Sequence, residues 1–103
     1  MIPDFVKYLR FERNYSENTI GYYETSNEEF QRFFMLMDSS LTWQTVDKDV
    51  VRMWMESLMD QGEVAGTVNK KLSALRAFFR YMLRKGIITA NPMATIKGPK
   101  KEK

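Results

Sequence analysis

Cysteine and histidine are both absent from this chain of 103 residues. Without cysteine the chain can form neither a disulfide framework nor a thiolate zinc site. Without either residue type it lacks the Ser-His and Cys-His pairs that activate nucleophiles in many enzymes. Acidic side chains are plentiful but scattered, and no glycine-rich phosphate loop accompanies them. We therefore predict that the chain holds no cofactor, no metal ion and no catalytic residue.

Long apolar runs are missing as well. The longest uninterrupted apolar stretch, residues 33–37, is far shorter than the roughly 20 residues that a membrane span requires. The N-terminus does not start with a basic segment followed by an apolar one, as a secretory signal would. A hydrophobic content of 44%, with 14% aromatic residues, is nevertheless enough to fill one core. These features predict one soluble, cytoplasmic domain without a membrane partner.

Proline and glycine are sparse, with three and five residues respectively, so long helices can form. No segment alternates apolar and polar residues as a half-buried strand does. Helices are predicted over about residues 3–13, after Ser16 to residue 37, after Asp47 to Gly62, from Thr67 to about residue 85, and briefly over residues 90–96. Ser16, Asp47 and Thr67 are the expected N-caps, and Gly62 and Gly86 the expected stops. Residues 97–103 contain no apolar anchor and are predicted to be a linker, which leaves residues 1–96 as the folded domain.

Apolar residues at helical spacing give each long helix a predicted buried face. On the second helix this face consists of Ile20, Tyr23, Phe30, Phe34 and Met37, with Asn27 interrupting it. On the third helix it consists of Val50, Met53, Trp54 and Leu58. On the fourth helix it consists of Val68, Leu72, Leu75, Phe78, Phe79, Met82 and Leu83. One core shared by these faces accounts for the apolar positions of the chain.

The net charge of +3 conceals a strong asymmetry. Residues 1–65 carry six basic and twelve acidic side chains, a net charge of −6, whereas residues 66–103 carry ten basic and one acidic, a net charge of +9. The face of the fourth helix opposite its apolar arc is polar and basic: Asn69, Lys70, Ser73, Arg76, Arg80 and Arg84. Such a face is typical of a nucleic-acid partner, although an ordinary solvated face has the same composition. We favour duplex DNA, held mainly through its phosphates.

The start of the second helix offers a further polar site. Ser16-Glu17-Asn18-Thr19 has a local explanation as an N-cap followed by a first turn. A helix N-terminus also leaves free N–H groups, which together with the Thr19 hydroxyl and the Asn18 amide can hold a phosphate. Beyond that turn, acidic side chains would repel a DNA backbone, so we expect contacts only from the beginning of this helix.

Three segments in order resemble the N-terminal core-binding domain of tyrosine recombinases, the phage-integrase and Xer-like family. They are Ser16-x-Asn18-Thr19-Ile20-x-x-Tyr23 with Phe30 downstream, the run from Thr67-Val68-Asn69-Lys70-Lys71 to Phe79, and Gly86-x-Ile88-x-x-Asn91-Pro92. The resemblance covers nearly the whole chain. It implies a SAM-like four- to five-helix orthogonal bundle that forms half of a clamp around a recombination site.

In that family the helices after the two polar turns lie across the major groove. The resemblance therefore implies DNA contacts at Ser16, Asn18, Thr19, Thr67, Asn69, Lys70, Lys71, Ser73 and Arg76, to which the basic face adds Arg80. Lys70 stands where arginine is frequent, so it keeps the charge but loses the planar fork. Ser26-Asn27 stands where the family commonly has an acidic residue and leucine, which weakens the apolar stripe.

The family's catalytic arginines, histidine and nucleophilic tyrosine belong to a second domain, which a chain without histidine cannot supply. We therefore expect a non-catalytic half of a longer recombinase, monomeric in isolation and associated with the nucleoid when bound to DNA. In the full-length protein its partners would be other recombinase protomers. A freestanding helical DNA-binding regulator and a helical protein-interaction module are the alternatives. A regulator would present one short recognition helix and a dimer surface, and an interaction module would expose a large apolar patch.

Overall fold

The structure, a computed structural model, describes residues 1–99 of the chain. Within that range the chain forms four α-helices and no strand: α1 (Ile2–Phe11), α2 (Glu17–Met37), α3 (Lys48–Asp60) and α4 (Ala65–Arg84). α4 packs against α2 and α3, while α1 packs against α2. The prediction of an all-α, SAM-like bundle is confirmed.

The helix ends follow local signals in the sequence. The Ser16 hydroxyl caps α2 by accepting a hydrogen bond from the Thr19 N–H at 3.3 Å. The Asp47 carboxylate caps α3 by accepting from the Asp49 and Val50 N–H groups at 3.0 and 3.1 Å. Both capping predictions are confirmed.

Glycines lie at the C-terminal ends of α3 and α4. Gly62 and Gly86 adopt φ angles of +89° and +75°, in the left-handed region that favours glycine. After Gly86, the Ile87 N–H bonds back to the Met82 carbonyl at 2.9 Å, and the N–H of Gly86 itself bonds to the Leu83 carbonyl. This pair of bonds is the Schellman arrangement, which satisfies carbonyls that the end of a helix would leave free.

Two local predictions are wrong. Thr67 does not cap α4, because the helix begins two residues earlier, after an extended Val64 that supplies no side-chain cap. The start of α4 is set by the short turn after α3 and not by a hydroxyl. Residues 90–96 do not form a helix but two overlapping turns, closed by bonds from the Ala94 N–H to the Asn91 carbonyl and from the Ile96 N–H to the Met93 carbonyl. The Asn91 carboxamide oxygen also accepts from the Met93 N–H at 2.9 Å. These turns still bury Met93 and Ile96 against the rest of the core.

The core is centred on α4 and on one residue outside the helices. Trp43, in the polar connection between α2 and α3, is buried. Its ring lies edge-on to Phe34 and Phe78, with centroids 5.3 and 4.7 Å apart, and also meets Phe79 at 5.7 Å. Edge-to-face aromatic pairs at such separations are favourable beyond the area they bury. The α2–α3 connection is therefore anchored to the core through this indole.

The buried faces of the helices are rotated slightly from their predicted positions. Met37, Met53 and Leu83 were expected in the core but are exposed. On α3 the completely buried Val51 lies in the core instead of Met53. On α4 Tyr81 replaces Leu83, because α1 packs on that side and brings the Phe5 ring to 5.3 Å from the Tyr81 ring. Apolar residues at the end of α2, above all Leu36, also remain exposed, so one core does not account for every apolar position.

Candidate nucleic-acid interface

The outer face of α4 carries half of the ten predicted DNA-binding side chains. Lys70, Ser73, Arg80 and Arg84 are exposed, and Asn69 and Arg76 are half-buried at one edge of the same face. At a rise of about 1.5 Å per residue, the face extends roughly 21 Å from Lys70 to Arg84. It is continuous because these positions recur at helical spacing while the opposite side of α4 is buried in the core.

The cations on this face are not neutralised by neighbouring carboxylates. Within residues 1–99 Lys70, Arg76, Arg80 and Arg84 take part in no ion pair. Lys70 instead places its ammonium 4.3 Å from the centre of the Tyr22 ring, and Arg84 donates a hydrogen bond to the Tyr8 hydroxyl at 2.7 Å. Aromatic partners hold a cation in place without cancelling its charge. The face therefore presents cations to solvent that no ion pair within residues 1–99 neutralises.

Lys71, unlike its neighbour Lys70, forms ion pairs within the domain. Its position on the helix turns it toward the core side, where its ammonium lies 2.9 Å from a carboxylate oxygen of Glu29 and 2.9 Å from one of Glu63. Burial by itself would lower the pKa of Lys71, but the hydrogen bonds to Glu63 and Glu29 outweigh burial and raise it. The charge of Lys71 is thus compensated within the domain and ties α2 and the α3–α4 turn to α4.

Asn69 and Arg76 contact the segment that follows the core. The Asn69 side-chain amide donates to the Pro99 carbonyl at 2.8 Å, and the Arg76 guanidinium donates to the Ile96 carbonyl at 3.2 Å. Gly98 passes so close to Asn69 that a Cβ at that position would collide with the amide oxygen. Residues 97–99, expected to lack an anchor, therefore lie along one edge of the α4 face. The remainder of the predicted linker, residues 100–103, lies outside the described residues.

The N-terminus of α2 is polar and exposed at Ser16 and Asn18. The Ser16 hydroxyl is already engaged, because it accepts from the Thr19 N–H and donates to the Thr19 hydroxyl at 3.0 Å. Glu17 forms a two-pronged ion pair with Arg10, at 3.0 Å for each bond, and the hydrogen bond from Arg10 lowers the pKa of the Glu17 carboxyl. The Asn18 amide and the free N–H groups of the first turn are the donors left for a ligand here.

The structure brings most of the predicted residues together. The N-terminal half of α2 lies against α4, as the contact between Tyr22 and Lys70 and the hydrogen bond from Asn27 to the Ala74 carbonyl show. Thr67 lies in the first turn of α4 and is half-buried. Lys71 alone among the predicted cations is directed away from the common surface.

One basic residue next to this surface was missed by sequence reasoning. Arg13, in the connection between α1 and α2, lines the same cleft as Arg80 and Arg84. It belongs to the half of the chain with net negative charge, so neither charge counting nor helix periodicity singles it out.

Neither a cluster of metal-ligand side chains nor a membrane-spanning helix is found among residues 1–99. Within residues 1–99 no three carboxylate side chains come together as metal ligands would. No helix in the same range combines the length and the apolar character needed to cross a membrane.

Comparison with known proteins identifies the family to which this chain belongs. Residues 2–86 match the family described as "Phage integrase, N-terminal SAM-like domain", and the chain belongs to that family. It is 34% identical to the tyrosine recombinase XerC of Bacillus licheniformis and 35% identical to that of Bacillus subtilis, over 99 residues that make up 96% of this chain and 32% of each relative.

The tyrosine recombinase XerD of Oceanobacillus iheyensis is 28% identical over 102 residues, which are 99% of this chain and 34% of that protein. The chain thus spans about a third of the length of the curated relatives it matches. No solved structure matches it with statistical significance.

Proposed function

We propose that this chain is the DNA-clamping domain of a site-specific tyrosine recombinase, binding duplex DNA through the outer face of α4 and the N-terminus of α2. The observation that carries the proposal is the unpaired cationic face of α4. Cations that form no ion pair within the domain are free to displace counterions from a phosphate backbone, which is the main source of affinity for duplex DNA. The relatives named tyrosine recombinase XerC and XerD supply the reaction class.

The residues have different roles in this proposal. Lys70 and Arg80, exposed and unpaired, contact phosphates, while Ser73 and Asn18 supply neutral donors. Asn69 and Arg76 join the surface when the segment over residues 96–99 moves aside, because their donors are bonded to its carbonyls. Lys71 positions α2 against α4 and makes no DNA contact, since both carboxylates of its pair would have to be displaced first.

The chemistry of strand exchange belongs to the remainder of such a recombinase. A domain with neither histidine nor cysteine holds the DNA while a separate catalytic domain cleaves and rejoins it. We propose that the full-length protein acts in the cytoplasm, on the nucleoid, in a complex with other recombinase protomers. The isolated domain should form no covalent complex with a suicide DNA substrate, which denaturing electrophoresis would reveal.

The proposal is tested by measuring the fluorescence anisotropy of a labelled duplex as residues 1–103 are added at several salt concentrations. Binding should weaken steeply with salt, and Lys70→Ala or Arg80→Ala should each reduce the log–log salt slope by about 1. Arg52→Ala, which removes an exposed cation on α3, is the matched control and should leave the slope nearly unchanged. Affinity independent of salt, or equal losses in all three variants, would contradict the proposed surface.

A further inference from the structure

A small cleft lies where α1, the connection after it and the C-terminal half of α4 meet. Its volume is about 130 Å³, and its polar rim consists of Arg13, Arg80 and Arg84 together with Tyr8 and Tyr15. The floor is apolar and includes the buried Leu9 and Phe5. Three arginines from two separate parts of the chain therefore line one cavity.

No carboxylate lines this cleft, and none of the three arginines forms an ion pair within residues 1–99. Their neighbours are phenols: Arg84 donates to the Tyr8 hydroxyl at 2.7 Å, and the Arg13 guanidinium lies 5.7 Å from the centre of the Tyr15 ring. Like charges gathered around a cavity repel one another in the free protein. An anion in the cleft would remove that repulsion, so the cleft is complementary to a negative group.

The size and donor geometry of the cleft fit a phosphate group. A cavity of about 130 Å³ that opens to solvent is large enough to admit a phosphate group. Guanidinium groups present paired N–H donors in a planar fork that matches two phosphate oxygens. The Tyr8 and Tyr15 hydroxyls can add neutral hydrogen bonds to the remaining oxygens.

The cleft is continuous with the proposed DNA surface. Arg80 and Arg84 belong both to it and to the outer face of α4, and Tyr15 immediately precedes the Ser16 cap of α2. The Tyr15 ring also packs edge-on against Tyr23 of α2, with centroids 5.9 Å apart. A phosphate held here would lie beside the C-terminal half of α4 and close to the residue that precedes the cap of α2.

We infer that the cleft among Arg13, Arg80 and Arg84 binds one backbone phosphate of the duplex and so sets the register of the domain on DNA. This inference rests on the proposed function and adds to it a site and a residue, Arg13, outside both predicted helices. Arg13 discriminates best between the cleft and a general basic surface, because it lies off α4 and has no ion pair within residues 1–99.

The experiment compares duplex affinity of the wild-type chain with Arg13→Gln, Arg13→Lys and Arg32→Gln, by fluorescence anisotropy at fixed salt. Arg32, exposed on α2 and outside the cleft, controls for the loss of one charge. Arg13→Gln should weaken binding about tenfold, as expected for a lost charge-assisted hydrogen bond, and Arg13→Lys should fall between it and wild type because lysine lacks the fork. Arg32→Gln should change affinity less than twofold, and equal melting temperatures would show that all variants fold.

A second measurement uses inorganic phosphate as the probe. The arginine Nε–H signals of Arg13, Arg80 and Arg84 should shift saturably in nitrogen–proton NMR spectra, and Arg13→Gln should abolish that saturation. If Lys70→Ala weakens DNA binding while Arg13→Gln behaves like Arg32→Gln, the cleft inference is overturned and the proposed function stands. If phosphate saturates the cleft but the wild-type chain does not bind duplex DNA, the cleft serves a free anion and both proposals are wrong.

Discussion

The two longest helices, α2 and α4, pack against each other but bury different kinds of face. α4 buries eight residues, and none of their side chains is charged or carries a carboxamide. α2 buries five, of which Ser26 and Asn27 are polar. The outer surfaces differ as well, because α4 exposes cations and α2 carries Glu24 and Glu28 beyond its first turn. α4 therefore contributes both the centre of the core and the candidate binding surface, while α2 packs against α4 and supports it.

This difference shows how a small domain separates stability from binding. On α4 the two tasks lie on opposite sides of one helix, so the buried side can be optimised for packing without affecting the exposed side. On α2 the buried stripe is itself mixed, because the polar Asn27 is completely buried where the helix faces α4. Its amide donates to the Ala74 carbonyl at 3.4 Å, while its carbonyl oxygen has no partner within the described residues.

The largest expected change in the free energy of unfolding comes from truncating a leucine, and it should differ between α4 and α2. Leu72 of α4 is completely buried, whereas Leu36 of α2 is 88% exposed. Leu72→Ala should lower the free energy of unfolding by about 2–5 kcal/mol, because it leaves a cavity in the core. Leu36→Ala should change it by no more than about 0.5 kcal/mol. Urea denaturation monitored by circular dichroism measures the free energy of unfolding of both variants. Similar losses of stability in the two variants would contradict the difference between the helices.

A smaller loss of stability is expected from removing Lys71, whose ion pair joins α4 to α2. Lys71→Met should cost about 1–3 kcal/mol, because the carboxylates of Glu29 and Glu63 lose a partly buried cation. Lys70→Met, which removes the neighbouring exposed cation, is the control and should leave stability nearly unchanged. Denaturant titration of both variants at pH 7 tests the comparison, and an equal cost for the two lysines would refute it.

The same ion pair predicts a dependence on pH. The pKa of Lys71 is raised in the folded state, so its contribution is fully present below the unfolded lysine value of about 10.4 and is lost as pH rises through the folded value. The stability difference between wild type and Lys71→Met should therefore narrow above pH 10. Taking the difference removes the tyrosine titrations common to both proteins. A difference that stays constant to pH 11.5 would mean that the ammonium is not the source of the effect.

The smallest expected effect concerns the polar residue in the α2 stripe. Asn27→Leu should raise the free energy of unfolding by about 1 kcal/mol, because it removes a buried carbonyl oxygen that has no hydrogen-bond partner in the described residues. Ala74 keeps its helical hydrogen bonding, so its carbonyl loses only a long additional bond. Thermal unfolding measures the change. A lower melting temperature would show that the Asn27 amide stabilises the fold more than the apolar contacts of the leucine that replaces it.

Sequence periodicity predicted much of the fold and part of the site. The caps at Ser16 and Asp47 and the stops at Gly62 and Gly86 depend on a few consecutive residues, so they could be read locally. The opposed apolar and basic faces of α4 follow from helical spacing alone. These features require no knowledge of what packs against the helix.

The positions that prediction missed depend on neighbours distant in the chain. Trp43 enters the core by packing against Phe34 of α2 and Phe78 of α4, and the polar sequence around it does not reveal these contacts. Tyr81 is buried and Leu83 exposed because α1 covers one flank of α4. Spacing fixes the angle of a residue around its own helix but contains no information on the side from which the next helix approaches.

The amino-acid sequence by itself determined that this chain is helical, lacks histidine and cysteine chemistry, and carries its positive charge in its last third. Only the tertiary structure decided which basic side chains form ion pairs and which come together: Lys71 is neutralised by Glu29 and Glu63, whereas Arg13, from the first part of the chain, joins Arg80 and Arg84 around one cleft. The physical reason is that composition and periodicity are properties of single segments. Ion pairing and the convergence of cations depend on distances of a few ångströms between segments, which only the packing of the helices sets.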